Sequence, residues 1–262
     1  YDGESIKRII KVNQSPIGKT PRSTVVSYLG IFDEIRMLFS KTSMAKELKL
    51  SPTMFSMNIK GGRCESCQGT GLQKIELNYL PSAYITCPEC NGRRYNEKII
   101  SVTYRNKTIL DVLETPIAEI IEIFNDTKKV YSVLRCMVEL GLGYLTLGQM
   151  SMSLSGGEAQ RIKLAKALGT LSRGKSLYIL DEPTSGLNEI DIDRFIKVLF
   201  SLQNKGETIL IIEHNIEFIA KVADYIIDFG VYGGDLGGKI VAQGKPRDVF
   251  AKKDSSLCGL DG

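Results

Sequence analysis

The chain has 262 residues, enough for one large domain or a domain carrying an inserted module. Apolar residues make up 43% and charged residues 24%, which excludes a disordered chain, and no apolar run approaches the ~18 residues of a membrane span. The net charge of +4 permits nucleic acid as a partner without demanding it.

Along the chain, Ile6 to Val12 reads as a short strand that ends in the turn-rich Gln14-Ser15-Pro16-Ile17-Gly18. Apolar residues at Ile31, Ile35, Leu38 and Phe39 predict a helix. Residues 61–98 then change character to cysteine, glycine, arginine and short strands. A strand is expected over Ile99 to Tyr104, with helices around Ile109 to Thr127 and Val130 to Leu140. From Leu154 strands and helices alternate. The runs Leu177 to Leu180 and Thr208 to Ile212 read as buried parallel strands, with a helix from Ile190 to Gln203 between them. The tail from Asp235 is glycine-rich and then polar. The first residues, Tyr1 to Lys11, do not resemble a secretory signal, so a cytoplasmic location is expected. The chain begins without Met, as a piece of a longer protein or a processed chain would.

Four of the six cysteines form C-x2-C-x19-C-x2-C: Cys64, Cys67, Cys87 and Cys90. Four thiolates suit a closed tetrahedral Zn2+ site, and without a secretory signal this pattern reads as metal rather than disulfide. Gly69, Gly71 and Gly92 let the backbone turn around the ion. Lys74 to Leu80 and Ala83 to Thr86 are expected to form a hairpin turning near Pro81-Ser82. Cys136 and Cys258 stand alone; Cys136 reads as a small core residue. Residues 60–107 hold eight basic side chains against four acids. That excess marks either a solvated surface or a patch for phosphates, with Lys74, Arg93 and Arg94 as candidate DNA contacts.

A second constellation concerns phosphate chemistry. Leu177 to Glu182 is an apolar strand ending in two acids, a Walker B pattern. Asp181 is placed for a Mg2+ shell, and Glu182 to orient and deprotonate an attacking water. Leu154-Ser155-Gly156-Gly157-Glu158-Ala159-Gln160-Arg161 matches the ABC signature. Ser155 caps a helix there, and Gly156 and Gly157 allow close approach of a phosphate. Ser185-Gly186-Leu187-Asn188 stands at the D-loop position. His214, the chain's single histidine, ends the next strand at the switch position, and Gln14 fits the Q-loop. No G-x4-G-K-[S/T] loop is present: for Gly18-Lys19-Thr20 the earlier glycine would fall at Asn13. ATP binding by this unit therefore needs a phosphate cradle supplied from upstream of Tyr1.

These segments, with Asn13 to Ser23, Gly61 to Cys64, Cys87 to Tyr95 and Leu147-Gly148-Gln149, resemble the UvrA family of excinuclease ATPases over nearly the whole chain. Ordinary ABC transporters lack a zinc module between Q-loop and signature. The resemblance implies an α/β fold: an ABC-type P-loop ATPase lobe with a parallel sheet, a helical signature region and an inserted zinc-binding hairpin. The expected partition is 1–60 (after a missing Walker A), 61–98 (zinc), 99–153 (helical) and 154–262 (lobe). It further implies two ABC units per chain, of which this is part of the second. Ser155 and Gly157 would face ATP held by the first unit, while Gln14, Asp181, Glu182 and His214 would serve the second. The implied partners are lesion-bearing double-stranded DNA, a UvrB-like repair protein and a second copy of the full-length protein, with no membrane.

The sequence departs from the family at Asn188, where histidine is usual, and at Gly230 to Gly234, which replaces Gly-Pro-Glu-Gly-Gly. The first bears on cross-talk between sites and the second on a loop. Three rival readings stand beside this one. A DnaJ-like zinc chaperone module fits C-x-x-C-x-G-x-G but needs four such units. A non-hydrolytic remnant fits poorly with retained Asp181 and Glu182. A UvrA paralogue with another task, such as protection from DNA-binding drugs, is the third.

Overall fold

A computed structural model describes residues 6–18, 20, 22–75, 83–170, 175–230, 237–252, 255 and 257. The turn at Pro81-Ser82, Lys19, Cys258 and most of the Gly230 to Gly234 segment lie outside the described residues.

Strand β1 (Ile6–Val12) is followed by helices α1 (Val25–Leu29), α2 (Phe32–Ser40) and α3 (Ser43–Glu47). The hairpin β2 (Leu72–Ile75) and β3 (Ala83–Thr86) leads to α4 (Glu97–Ile100) and to the small pair β4 (Thr103–Tyr104) and β5 (Lys107–Thr108). Then come α5 (Ile109–Glu114), α6 (Ile117–Ile120), α7 (Lys128–Glu139) and α8 (Gly156–Gly169). The rest is β6 (Lys175–Asp181), α9 (Glu189–Asn204), β7 (Thr208–Ile212), α10 (Ile216–Val222), β8 (Ile226–Phe229), β9 (Ile240–Gly244) and α11 (Pro246–Phe250).

The chain divides into two compact units, Tyr1–Asn13 with Gly174–Gly262, and Gln14–Arg173. The first is α/β. Its sheet has the order β1-β6-β7, all parallel, with Val12 beside Leu180 and Leu180 beside Ile211. One face carries the buried Tyr178 and Leu180. Helices α9 and α10 meet through stacked Phe195 and Phe218, ring centres 6.0 Å apart. On the other face Ile9, Leu210 and Ile212 are each about half exposed. The expectation of strands buried on both faces therefore holds on one face only. The tail, read as glycine-rich and polar, contains β9, which pairs antiparallel with β8. Ile226, Ala242, Val249 and Phe250 bury a small core there.

The second unit is helical with the cysteine hairpin inserted. Phe39, Phe55, Tyr104 and Phe124 form an aromatic chain through its core. Two expectations fail locally. Residues 99–104 are not one strand: Asn96 accepts the Ile99 amide at 3.1 Å and caps α4, which occupies the apolar run. Residues 109–127 are not one helix: Pro116 ends α5 and starts α6, since its ring excludes the preceding residue from helical geometry. Helix α8 is buried around most of its circumference and packs on α7 so closely that a Cβ on Gly169 would lie 2.6 Å from the Val133 Cα. Helix α8 belongs to this unit, which runs from Gln14 to Arg173.

Candidate metal and nucleotide sites

The cysteine site is built from two copies of one turn. Cys64-Glu65-Ser66-Cys67-Gln68-Gly69 and Cys87-Pro88-Glu89-Cys90-Asn91-Gly92 both place a left-handed pair after the second cysteine, at Gln68 and Gly69 (φ 53 and 81) and at Asn91 and Gly92 (φ 48 and 81). The β2–β3 hairpin joins the knuckles, with Leu72 opposite Thr86. All four thiols are buried and unbridged, and their sulfurs lie within 4.8 Å of one another. Cys67 Sγ and Cys90 Sγ are 3.7 Å apart. Tetrahedral Zn–S bonds of ~2.3 Å put sulfurs about 3.8 Å apart, close to the Cys67–Cys90 separation, so the donor set is compatible with zinc. The Gly71 amide donates to Cys67 Sγ at 3.3 Å, the kind of bond that favours a thiolate. Around Cys87, the backbone amide of Cys90 leads the effects that hold its thiol down at about 7. Burial pushes Cys90 up to about 12 and raises Cys64. A bound cation would take all four as thiolates.

Of the candidate DNA contacts, Lys74 lies on an exposed stretch of β2 opposite Tyr84. Arg93 is turned inward on the module, donating to Cys90 O at 3.1 Å and pairing with Glu97 at 2.6 Å. Arg94 reaches across to Gly148 O at 3.2 Å and to Met57 Sδ at 3.7 Å. Its guanidinium thus ties the cysteine module to the segment that leads into α8.

At the start of α8, Ser155 forms a capping box: its hydroxyl accepts the Glu158 amide at 3.2 Å, and Glu158 Oε2 accepts the Ser155 amide at 2.7 Å. Glu158 Oε1 also accepts the Tyr144 hydroxyl at 2.5 Å. Burial raises Glu158, but the bonds from Tyr144 and Ser155 outweigh it and hold the carboxyl below its ordinary range. The amides of Gly156 and Gly157, in the first turn, have no intrahelical acceptor and lie at the positive end of a 14-residue helix. Gln14 lies against this end, since a Cβ on Gly156 would be 3.2 Å from Gln14 Oε1. Lys163, two turns along the same face, donates to Ser15 O at 2.7 Å and Ser15 Oγ at 2.6 Å. Burial lowers its pKa. The sequence reading missed Lys163; its i, i+7 spacing from Gly156 was the available signal.

In the α/β unit, Asp181 and Glu182 stand at the carboxyl end of β6, where open parallel sheets bind ligands. Glu182 has φ 46, a left-handed geometry that costs a side-chain-bearing residue of order 1–3 kcal/mol. The Glu182 amide continues the ladder to Ile212 O at 2.8 Å, and its side chain turns toward His214 on the neighbouring strand end. Glu182 Oε1 and His214 Nε2 are 3.6 Å apart, both solvent-accessible. Asn188 accepts the Asp191 amide at 2.9 Å and caps α9, which gives the departure from histidine a local structural role.

No family model matches the chain. The chain is 50% identical over 252 residues to UvrABC system protein A of Staphylococcus aureus (strain COL), covering 96% of this chain and 26% of that protein. To the Halalkalibacterium halodurans protein of the same name it is 49% identical over the same share. Its fold matches the crystal structure of UvrA2 from Deinococcus radiodurans with a TM-score of 0.89 and 44% identity, over 97% of this chain and 31% of that one. In sequence and fold alike, and across about a quarter of the length of the curated relatives it matches, the chain belongs with the UvrA proteins.

Proposed function

We propose that this chain is a working part of a DNA-damage-recognition ATPase of nucleotide excision repair. In this reading, ATP binding and hydrolysis are coupled to lesion-bearing duplex DNA and to loading of a UvrB-like protein by a dimer of the full-length protein in the cytoplasm. The observation that carries the reading is the Glu182–His214 pair at the ends of adjacent parallel strands. A carboxylate there is suited to take a proton from the water that attacks the terminal phosphate. The phosphorus–oxygen bond to the ADP group then breaks, giving ADP and phosphate. His214 is suited to contact that phosphate. Asp181 would supply an oxygen for Mg2+, which when bound would neutralise charge developing on the phosphate oxygens. Ser155, Gly156 and Gly157 present helix amides to an ATP held by another ABC unit, and Gln14 supplies a polar side chain beside them.

Cys64, Cys67, Cys87 and Cys90 would hold one structural Zn2+. Lys74, Arg93 and Arg94 are the basic residues proposed to meet DNA phosphates. Arg93 and Arg94 would exchange bonds within the protein to do so. Contacts of this kind read backbone and deformability rather than sequence.

The test is ATP turnover by the protein at its natural full length, with undamaged and with ultraviolet-irradiated duplex. Turnover that responds to damage and is abolished by Glu182→Gln supports the reading. Turnover untouched by that substitution, or indifferent to any DNA, refutes it.

A further inference from the structure

One carboxylate outside the motif set holds two loops of the α/β unit together. Glu213 precedes His214 at the end of β7. Its Oε1 accepts the Thr184 amide at 3.0 Å and also the Thr184 hydroxyl. Its Oε2 accepts the His214 amide at 2.7 Å and the Asn215 amide at 3.2 Å. Four donors from two loops therefore converge on two oxygens. Thr184 is buried, so its amide and hydroxyl depend on this acceptor.

The geometry has a consequence for the residues on either side. Thr184 lies two residues after Glu182, in a turn closed by Ser185 N to Glu182 O at 3.2 Å and Leu187 N to Thr184 O at 3.0 Å. His214 follows Glu213 directly. Glu182 and His214 are 47% and 81% exposed, so side-chain packing does not hold them at 3.6 Å. Their separation is set by the backbones that carry them, and those backbones are cross-linked by Glu213. Bonds to an ionised acceptor are about twice as strong as neutral ones, which suits a strap between loops.

We propose that Glu213 is a positioning residue that sets the approach of His214 to Glu182, and that it does so only as a carboxylate. An amide of the same shape would keep one oxygen and aim N–H groups at two of the four donors. The proposal rests on the hydrolytic reading of Glu182 and His214.

The experiment uses the protein at its natural full length, with Glu213→Gln made alone and in a His214→Ala background. ATP turnover, affinity for a fluorescent ATP analogue and melting temperature are measured. Glu213→Gln should lower kcat by about 10- to 100-fold, because small misplacements of a reacting pair cost that much. Analogue affinity should stay within about threefold, the signature of an interaction made in the transition state. In the His214→Ala background the same change should have less than about a twofold further effect, since residues acting through one another are not additive. Unchanged kcat, or the full loss repeated in that background, overturns the proposal. Thr184→Val, which removes one donor and leaves the carboxylate, serves if Glu213→Gln melts early. It should lower kcat several-fold at unchanged affinity, and no effect counts against the strap. If Glu182→Gln retains turnover, the hydrolytic reading itself fails; if Glu182→Gln is dead while Glu213→Gln is normal, only the positioning role falls.

Discussion

Gly69 and Gly92 follow the two cysteine knuckles at the same spacing and share φ 81, yet their surroundings differ. A Cβ on Gly92 would meet Thr86 Cγ2 at an ordinary 3.5 Å, whereas one on Gly69 would overlap the Met57 carbonyl oxygen. Gly92→Ala should therefore cost only the left-handed penalty, about 1–2 kcal/mol, and retain zinc. Gly69→Ala should also displace backbone and lose most of its metal. Elemental analysis and thermal melting of the two variants check this, and equal behaviour would contradict it. At the other site, Glu182→Gln removes the proposed proton acceptor. Hydrolysis should fall by about 10²- to 10⁴-fold while a fluorescent ATP analogue still binds, as read by turnover and by titration. The sequence showed Glu182 as an acid at a strand end. It could not show the left-handed φ or the reach to His214, because both depend on which strand lies beside β6.

Helix α8 was legible as an element, since Ser155, Gly156-Gly157 and Glu158 spell a capping box before an apolar repeat. Its environment was not legible: it is buried around most of its surface, which an amphipathic reading does not anticipate. Gly169→Ala tests this. Helix propensity favours alanine by up to ~1 kcal/mol. The new methyl, 2.6 Å from Val133 Cα, meets backbone that must move, typically costing 1–3 kcal/mol. Urea unfolding should show a net loss of about 1 kcal/mol, and a gain would mean that α7 and α8 separate freely. The cysteine hairpin is the other element with its own energetics, because its buried cluster is the four cysteines. One zinc per chain is expected by elemental analysis. Chelation should raise amide hydrogen exchange at Cys64, Cys67, Cys87 and Cys90 and the turns after them, since structural zinc supplies the folding energy of such modules. Unchanged exchange there would assign the fold of the module to the chain alone.

At the scale of the whole molecule, the parallel sheet stands out for the apolar side chains it exposes. Parallel sheets are normally covered on both faces, yet Ile9, Leu210 and Ile212 line one that is half open. Exposed apolar patches of this kind mark contact surfaces or association. The 262-residue chain by itself should bind the dye ANS strongly in its folded state, and Leu210→Ser with Ile212→Ser should reduce that signal without loss of circular dichroism. Dye binding that ignores the double change would place the open surface elsewhere.

The cysteine pairs, signature, Walker B acids and switch histidine are local words, readable because each packs its chemistry into a few adjacent residues. Helix caps and glycine turns are local for the same reason. The sequence by itself therefore determined the family resemblance and the residues on which the proposed metal site and the proposed chemistry rest. Only the tertiary structure decided that Glu213 straps Thr184 to His214, that Lys163 holds Ser15, that Arg94 joins the cysteine module to Gly148, and that Ile9, Leu210 and Ile212 are half exposed on one sheet face. Each is a contact between residues distant in the chain or a degree of exposure. Such features depend on how elements pack, and no run of neighbouring residues encodes that.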